Sequence, residues 1–116
     1  MIMSHFNLSE FTCKCGCGQN NISPAFVAKL NIARDIAGVP FHINSGCRCD
    51  KHNAAEGGKS DSSHLTGFAS DIAVKDDGER SIILNALIKA GFTRFGMGKT
   101  FIHTDKERFQ DLGLLK

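Results

Sequence analysis

Three side chains that could bind one metal ion stand out in the sequence. His64 and Asp71 lie in the segment S-S-H-L-T-G-F-A-S-D, and His103 lies in F-I-H-T-D. Two imidazole nitrogens and a carboxylate oxygen suit zinc, and three protein ligands leave a fourth position open for water. Zinc lowers the pKa of such a water toward ~7 and polarises a carbonyl group. Each residue alone is typical of a surface carboxylate or a strand histidine, but the ordered set indicates a catalytic zinc site in a hydrolase.

The surrounding motif resembles that of the zinc D-Ala-D-Ala carboxypeptidase family, which includes L-alanyl-D-glutamate endopeptidases of bacteriophages. The positions that follow the family's order are Ser45, Gly46, Arg48, Asn53, Gly57, Gly58, Ser62, His64, Gly67, Ala69, Asp71 and His103. The cysteine-rich start is similar to that of small phage-type members, so the likeness runs from Phe6 to Asp105. It implies a zinc metallopeptidase that hydrolyses stem peptides of bacterial peptidoglycan, as a phage-type endolysin in cell wall degradation. Both a D,D-carboxypeptidase and an L-Ala-D-Glu endopeptidase remain open.

The resemblance also implies roles for the site residues. Zinc would be held by the two histidines and the aspartate named above. Arg48 is expected to be catalytic and to bind substrate, because a guanidinium can donate two parallel hydrogen bonds to a carboxylate or stabilise a developing oxyanion. Ser62 is expected at the rim of the site, where it binds substrate or supports a metal ligand. Asn53 is a further substrate-binding candidate that could brace the Arg48 segment.

The general base is less clearly marked. Several relatives carry Glu or Asp three residues before the last histidine ligand, or a second histidine two residues before it. In this chain those positions are Thr100 and Phe101, which cannot transfer a proton at neutral pH. Asp105 is the best remaining carboxylate and is predicted to shuttle the proton; its alternative role is to support a metal-binding histidine. Asp61 and Glu107 are weaker alternatives.

The cysteines form two groups along the chain: Cys13, Cys15 and Cys17 in C-x-C-x-C, and Cys47 and Cys49 on either side of an arginine. In an extended segment, alternate spacing would place the sulfurs of each group on one face. Three states remain open. The thiols could form disulfides in an oxidising compartment, bind a structural zinc ion despite a spacing that differs from the usual C-x₂₋₄-C, or stay reduced as small buried groups. A catalytic cysteine is not expected, because the metal motif already supplies the nucleophile.

The pattern of apolar residues predicts an α+β fold with helices packed on one face of a mostly antiparallel sheet. Ser23 followed by Pro24 is typical of a helix start, and Gly38 of a helix end. The other predicted elements are strands at Phe41–Ser45 and Phe68–Val74, a loop at Cys47–Ser63, a helix at Glu79–Ala90, and strands at Arg94–Met97 and Phe101–Asp105 joined by a Gly98–Lys99 turn. This agrees with the fold that the resemblance implies, a single compact zinc peptidase domain over residues 1–116.

Strand alternation then positions the candidate ligands. Within Phe68–Val74 it places Asp71 between two alanines on the face opposite the core, where small neighbours leave room for a metal and a substrate. Within Phe101–Asp105 it places His103 and Asp105 on one face. Two neighbouring strands are therefore expected to carry the chemistry.

Bulk properties narrow the function classes. The chain has 116 residues, 41% of them hydrophobic, which is typical of one globular domain. A net charge of +2 is too small for a nucleic-acid-binding surface, and the absence of Trp and Tyr favours a peptide substrate over a glycan. Without a run of ~20 apolar residues, membrane insertion is not expected. The first residues lack the features of a signal peptide. We expect a monomer that is made in the cytoplasm and acts in the periplasm or cell wall after release.

Two other functions compete with the enzyme. The first is a non-catalytic zinc-containing module of the same fold that binds the cell wall or a partner protein. The lack of the family's usual acid favours this alternative, whereas the presence of both Arg48 and Ser62 argues for a complete catalytic cleft. The second is a cysteine zinc finger that binds nucleic acid, which the near-neutral net charge disfavours.

Overall fold

The computed structural model describes residues 5–55, 64 and 67–105. Its regular elements are, in chain order, a 3₁₀ helix at Leu8–Phe11, helix α1 at Pro24–Ala37, strand β1 at Ile43–Ser45, helix α2 at Asp50–Ala55, strand β2 at Ala69–Ala73, helix α3 at Asp77–Lys89, strand β3 at Arg94–Met97 and strand β4 at Phe101–Asp105. Among these residues the strands form one four-stranded antiparallel sheet in the order β1-β2-β4-β3. The predicted α+β class is confirmed. The prediction of one domain over residues 1–116 reaches beyond the described residues and stays a prediction.

Local chemistry fixes the ends of the two long helices. The Ser23 side chain accepts a hydrogen bond from the backbone N–H of Phe26 at the start of α1, and Gly38 ends the helix in the left-handed conformation with φ of 70°. At the start of α3, the Asp76 carboxylate accepts from the Glu79 backbone N–H at 2.8 Å. Because this aspartate is the cap, α3 begins earlier than the predicted start at Glu79.

The hydrophobic core lies between the sheet and the two long helices. Its fully buried apolar side chains include Phe26, Leu30, Ile72, Ile83, Leu87 and Ile102. Side chains alternate along a strand, so β2 and β4 turn Ile72 and Ile102 toward the helices and Asp71 and His103 toward the opposite face. None of the helices in the described part of the chain is both long enough and apolar enough to cross a membrane.

Three further local predictions need correction. The segment predicted as a loop at Cys47–Ser63 contains the short helix α2. The second half of this segment is rich in Gly and Ser, and that composition led to the prediction of a loop throughout. Strand β1 is shorter than predicted and begins at Ile43. The hairpin turn lies at residues 99–100 and not at 98–99, because the Gly98 backbone N–H donates to the Phe101 carbonyl at 2.9 Å.

Candidate metal centre and active site

The structure brings the three predicted metal ligands together. Antiparallel pairing of β2 and β4 places Asp71 directly opposite His103, and the Oδ1 atom of Asp71 lies 2.8 Å from the His103 Nδ1 atom. His64, which precedes β2, has its Nε2 atom 3.4 Å from the same Asp71 oxygen. The ligand atoms of the three residues all lie within 4.8 Å of one another. This spacing allows one cation to contact all three.

Each histidine has one ring nitrogen engaged and the other turned toward Asp71. The Nδ1 atom of His64 lies 2.6 Å from the Gly46 carbonyl oxygen, which can only accept, so this nitrogen carries the proton and Nε2 is left as the ligand. The Nε2 atom of His103 lies 2.7 Å from Oδ2 of Asp105, which leaves Nδ1 as the ligand. Metal-binding histidines commonly donate their second ring N–H to a carbonyl or a carboxylate. Both histidines meet this condition, so the donor set fits a zinc ion.

Glycine at position 46 makes the first of these contacts possible. A Cβ atom there would lie 2.8 Å from both the Cα and Cβ atoms of Phe11, which is closer than van der Waals contact permits. The backbone at Gly46 can therefore pack against Phe11 only without a side chain, and this packing places its carbonyl beside His64. The sequence does not reveal this role, because the group that acts is a main-chain carbonyl.

The electrostatics of the cluster favour a cation. Burial raises the pKa of the Asp71 carboxyl, but hydrogen bonds from His103 and His64 outweigh it and hold the pKa well below its usual range. Burial lowers the pKa of His103, but hydrogen bonds to Asp105 and Asp71 outweigh it and raise the pKa to about 9. Without a metal, the His103 ring therefore carries a proton between two carboxylates. A divalent cation would replace that proton.

Arg48, which the sequence predicts to bind substrate, borders the cluster. Its Nη2 atom lies 3.5 Å from Oδ2 of Asp71, and its backbone N–H donates to the His64 carbonyl at 3.0 Å. Its Nη1 atom donates to Oδ1 of the buried Asn53 at 3.3 Å, so Asn53 braces the guanidinium. Among the described residues, the buried Nε–H of Arg48 has no acceptor.

Asp105 has both carboxylate oxygens engaged. Oδ2 accepts from His103, and Oδ1 pairs with Nε of Arg94 at 2.7 Å across the hairpin. Burial raises the pKa of Asp105, but His103 and Arg94 outweigh it and hold the pKa below its ordinary value. A carboxylate in this state is a weak proton acceptor at neutral pH. Of the two roles predicted for Asp105, the geometry favours support of His103 over proton transfer. Ser62, Asp61 and Glu107 lie outside the described residues.

Sequence reasoning missed Arg94. The hairpin register pairs Arg94 with Asp105, and this pairing follows directly from a turn at residues 99–100. A turn one residue earlier would place Phe92 opposite Asp105, so an error of one residue in the turn conceals the ion pair. The signal is present in the sequence but depends on the register.

A second cluster of potential metal ligands lies outside this site. Four thiols, those of Cys13, Cys15, Cys17 and Cys49, have sulfur atoms within 4.8 Å of one another. Burial raises the pKa of Cys13, but backbone N–H groups of Cys15 and Cys49 lower it to about 6. The adjacent Cys17 sulfur raises the pKa of Cys15 to about 12. Cys47 is separate: it is fully buried, and its sulfur lies 3.4 Å from the Asn20 side-chain oxygen. No disulfide joins any of these five cysteines in the described part of the chain.

The family model described as Peptidase M15 matches residues 4–105. No match was found among the curated proteins. The matched range includes His64, Asp71, His103 and Arg48, as well as the four clustered cysteines.

Proposed function

The chain belongs to the peptidase M15 family, and from this premise we propose that it is a zinc-dependent peptidase that hydrolyses stem peptides of bacterial peptidoglycan. The observation that carries the proposal is the convergence of His64 Nε2, an Asp71 oxygen and His103 Nδ1 within 4.8 Å. Three such ligands leave one coordination position free. A zinc ion held there would polarise the scissile carbonyl and activate the attacking water.

Arg48 would bind the oxygen that becomes negatively charged. Asn53 and the His64 carbonyl hold the residue through its Nη1 and its backbone N–H, while its Nε–H has no acceptor among the residues that the structure describes. A donor that is already positioned needs little reorganisation when charge develops on the substrate. The same guanidinium could bind the terminal carboxylate of a shortened stem peptide through two parallel hydrogen bonds.

Asp105 would position His103 and would not carry the proton. Its contact with the His103 Nε2 atom fixes the ring so that Nδ1 faces Asp71, and its ion pair with Arg94 fixes the carboxylate itself. Proton transfer then falls to another group. Asp61 and Glu107, outside the described residues, are the remaining candidates from the sequence.

The proposed biological setting is that of a phage-type endolysin. The chain would act as a monomer in the periplasm or cell wall after release from the cytoplasm, with the peptide part of peptidoglycan as its substrate. The absence of Trp and Tyr from the sequence supports a peptide substrate over a glycan. The bond cut is either the D-Ala-D-Ala bond or the L-Ala-D-Glu bond.

A non-catalytic zinc-containing module that binds the cell wall or a partner is the second candidate. It is favoured by a specific observation: Thr100 and Phe101 occupy the positions where several relatives carry an acid or a second histidine, and the carboxylate of Asp105 is engaged by two partners. This alternative predicts zinc binding without peptide hydrolysis.

Mass spectrometry of fragments released from purified peptidoglycan distinguishes the two functions. We expect the protein to release fragments, a chelator to abolish release, and added zinc to restore it. Free D-alanine would identify a D,D-carboxypeptidase, whereas stem peptides with a new amino-terminal D-glutamate would identify the endopeptidase. Zinc-loaded protein that releases nothing from several peptidoglycan chemotypes would favour the binding module over the enzyme. Full activity of a His64→Ala variant would refute the assigned site.

A further inference from the structure

The four clustered cysteines have the spacing of ligands around a common centre. The Sγ atoms of Cys13, Cys15 and Cys49 are separated by 3.4 Å, 3.6 Å and 3.8 Å, and Cys17 completes the group within 4.8 Å. A tetrahedral zinc ion with Zn–S bonds of ~2.3 Å places its sulfur ligands ~3.8 Å apart. Paired sulfurs in a disulfide are ~2.05 Å apart. The cluster therefore resembles the corners of a tetrahedron more than two bonded pairs.

We propose that Cys13, Cys15, Cys17 and Cys49 bind a second zinc ion as thiolates, in a closed structural site. Four sulfur ligands fill the tetrahedral coordination of zinc and leave no position for water or substrate. The site is therefore distinct in function from the His64 cluster. It joins the amino-terminal segment to the segment that carries Arg48.

The local backbone explains how C-x-C spacing can supply three ligands. The segment is not extended, because residues 14–17 form a turn. Gly16 and Gly18 have φ of 89° and 81°, in the left-handed region that favours glycine. The Cys13 backbone N–H closes the loop by donating to the Gln19 carbonyl at 2.8 Å. The turn curls the chain so that alternate cysteines face one centre and not one side of a strand.

Backbone N–H groups point at two of the sulfurs. The Cys49 N–H donates to the Cys13 sulfur at 3.4 Å, and the Gln19 N–H donates to the Cys17 sulfur at 3.4 Å. Such donors stabilise negative charge on sulfur, which is the state that binds metal. Four thiolates this close repel one another unless a cation neutralises them. The hydrogen bonds and the spacing together favour a bound divalent ion.

The proposed metal would hold the Arg48 segment in place. Cys49 follows Arg48 directly in the sequence, and the Gln19 side chain donates to the Arg48 carbonyl at 3.4 Å. On the other side, the Cys47 N–H donates to the Phe11 carbonyl at 2.8 Å. A zinc–sulfur bond at Cys49 would hold this segment more strongly than these two hydrogen bonds do. The second site would thus act on the first through the position of Arg48.

Cobalt substitution tests the proposal without reference to activity. A Co²⁺ ion bound by thiolates shows an intense sulfur-to-metal charge-transfer absorption that a site of nitrogen and oxygen ligands lacks. We expect this band in the cobalt-substituted wild type. In the zinc-saturated wild type we expect one equivalent of zinc per chain in addition to the one at the His64 cluster. Both should disappear when Cys15→Ala is combined with Cys17→Ala, two exposed positions whose loss leaves the core intact. The matched control, Cys47→Ser, changes a cysteine outside the cluster and should keep both signals.

A His64→Ala variant separates this site from the proposed catalytic one, because it should lose one equivalent of zinc and keep the cobalt–thiolate band. Wild-type protein without that band would overturn the proposal, whether or not the variants fold. Two further results in the wild type would also overturn it. Peptide mapping could find disulfides among the clustered cysteines, or thiol titration could find all of them reactive in zinc-saturated protein.

Discussion

The two candidate metal sites of this protein are built in opposite ways. The His64 cluster has nitrogen and oxygen ligands, two of them on the adjacent strands β2 and β4, and its members are largely buried. The cysteine cluster has only sulfur ligands, sits on a turn and on the segment before α2, and exposes Cys15 and Cys17. One site rests on the rigid centre of the sheet and the other on irregular backbone.

This difference in construction corresponds to a difference in function between a catalytic site and a structural site. A catalytic site needs ligands held within a narrow geometry and one open position, which paired strands and three ligands provide. A structural site needs only enough ligands to bind metal tightly, and the metal itself then orders the backbone around it. Arg48 lies between the two: its guanidinium approaches Asp71, and its neighbour Cys49 belongs to the thiol cluster.

The largest expected effect is that of removing a ligand from the His64 cluster. We expect His64→Ala to lower kcat/KM for peptidoglycan hydrolysis by roughly 10³-fold or more, because loss of the metal removes several kcal/mol of transition-state stabilisation. Metal analysis alongside the hydrolysis assay should show one equivalent of zinc lost. His42→Ala, which changes an exposed histidine outside the cluster, is the matched control and should leave both values unchanged.

Arg48→Lys should have the next largest effect. Lysine keeps the charge but cannot reproduce the Nε–H or the planar arrangement of the guanidinium. We expect kcat/KM to fall by about 10²-fold, the usual scale for losing one oxyanion donor, while bound zinc is unchanged. Arg34→Lys on α1 is a control for the chemical change itself. Wild-type kinetics of the Arg48→Lys variant would show that the Arg48 guanidinium has no specific role in catalysis.

Asp105→Asn distinguishes the two roles predicted for this residue. Asparagine cannot serve as a negatively charged acceptor for both His103 and Arg94. If Asp105 supports His103, zinc affinity at this site should fall by about 10- to 100-fold, and saturating zinc should restore most of the activity. Zinc titration of activity measures both quantities. An activity that stays low at saturating zinc would instead identify Asp105 as the proton-transfer group.

Much of the fold and of the His64 cluster could be predicted because the signals are local. Ser23 and Gly38 cap α1 through interactions within a few residues of each end. Strand alternation places Asp71 and His103 opposite the core whenever their strands exist, and the pairing of those strands then makes them neighbours. Strand alternation and short capping motifs can be recognised in a sequence without knowledge of the tertiary structure.

The contacts that could not be predicted from the sequence depend on strand register and on main-chain geometry. The ion pair of Arg94 with Asp105 follows only from the correct hairpin turn. The Gly46 carbonyl beside His64 carries no side-chain signal. Cys15 meets Cys49 beside a turn in which Gly16 has a positive φ, and sequence patterns treat such a glycine only as a loop residue. Contacts between distant segments are therefore where the sequence is least informative.

The smallest expected effect is a change in the protonation of His103 when the metal is removed. It distinguishes the metal-free from the metal-bound state of the His64 cluster. In the chelated protein, an NMR titration of the ring should give a pKa of about 9, above the ordinary value of 6.5, because Asp105 and Asp71 together outweigh burial. Protonated His103 then contributes stability that is fully present below about pH 6.5 and is lost as the pH rises through about 9.

The zinc-loaded protein should show no such titration, since a metal ligand must stay unprotonated. Asp105→Asn should lower the pKa of His103 in the chelated protein, because it removes the charge of one of the two carboxylates. A pKa near 6.5 in the chelated wild type would mean that the carboxylates do not hold the ring without metal. The cluster would then be organised by the ion, as we propose for the cysteines, and the contrast between the two sites would disappear.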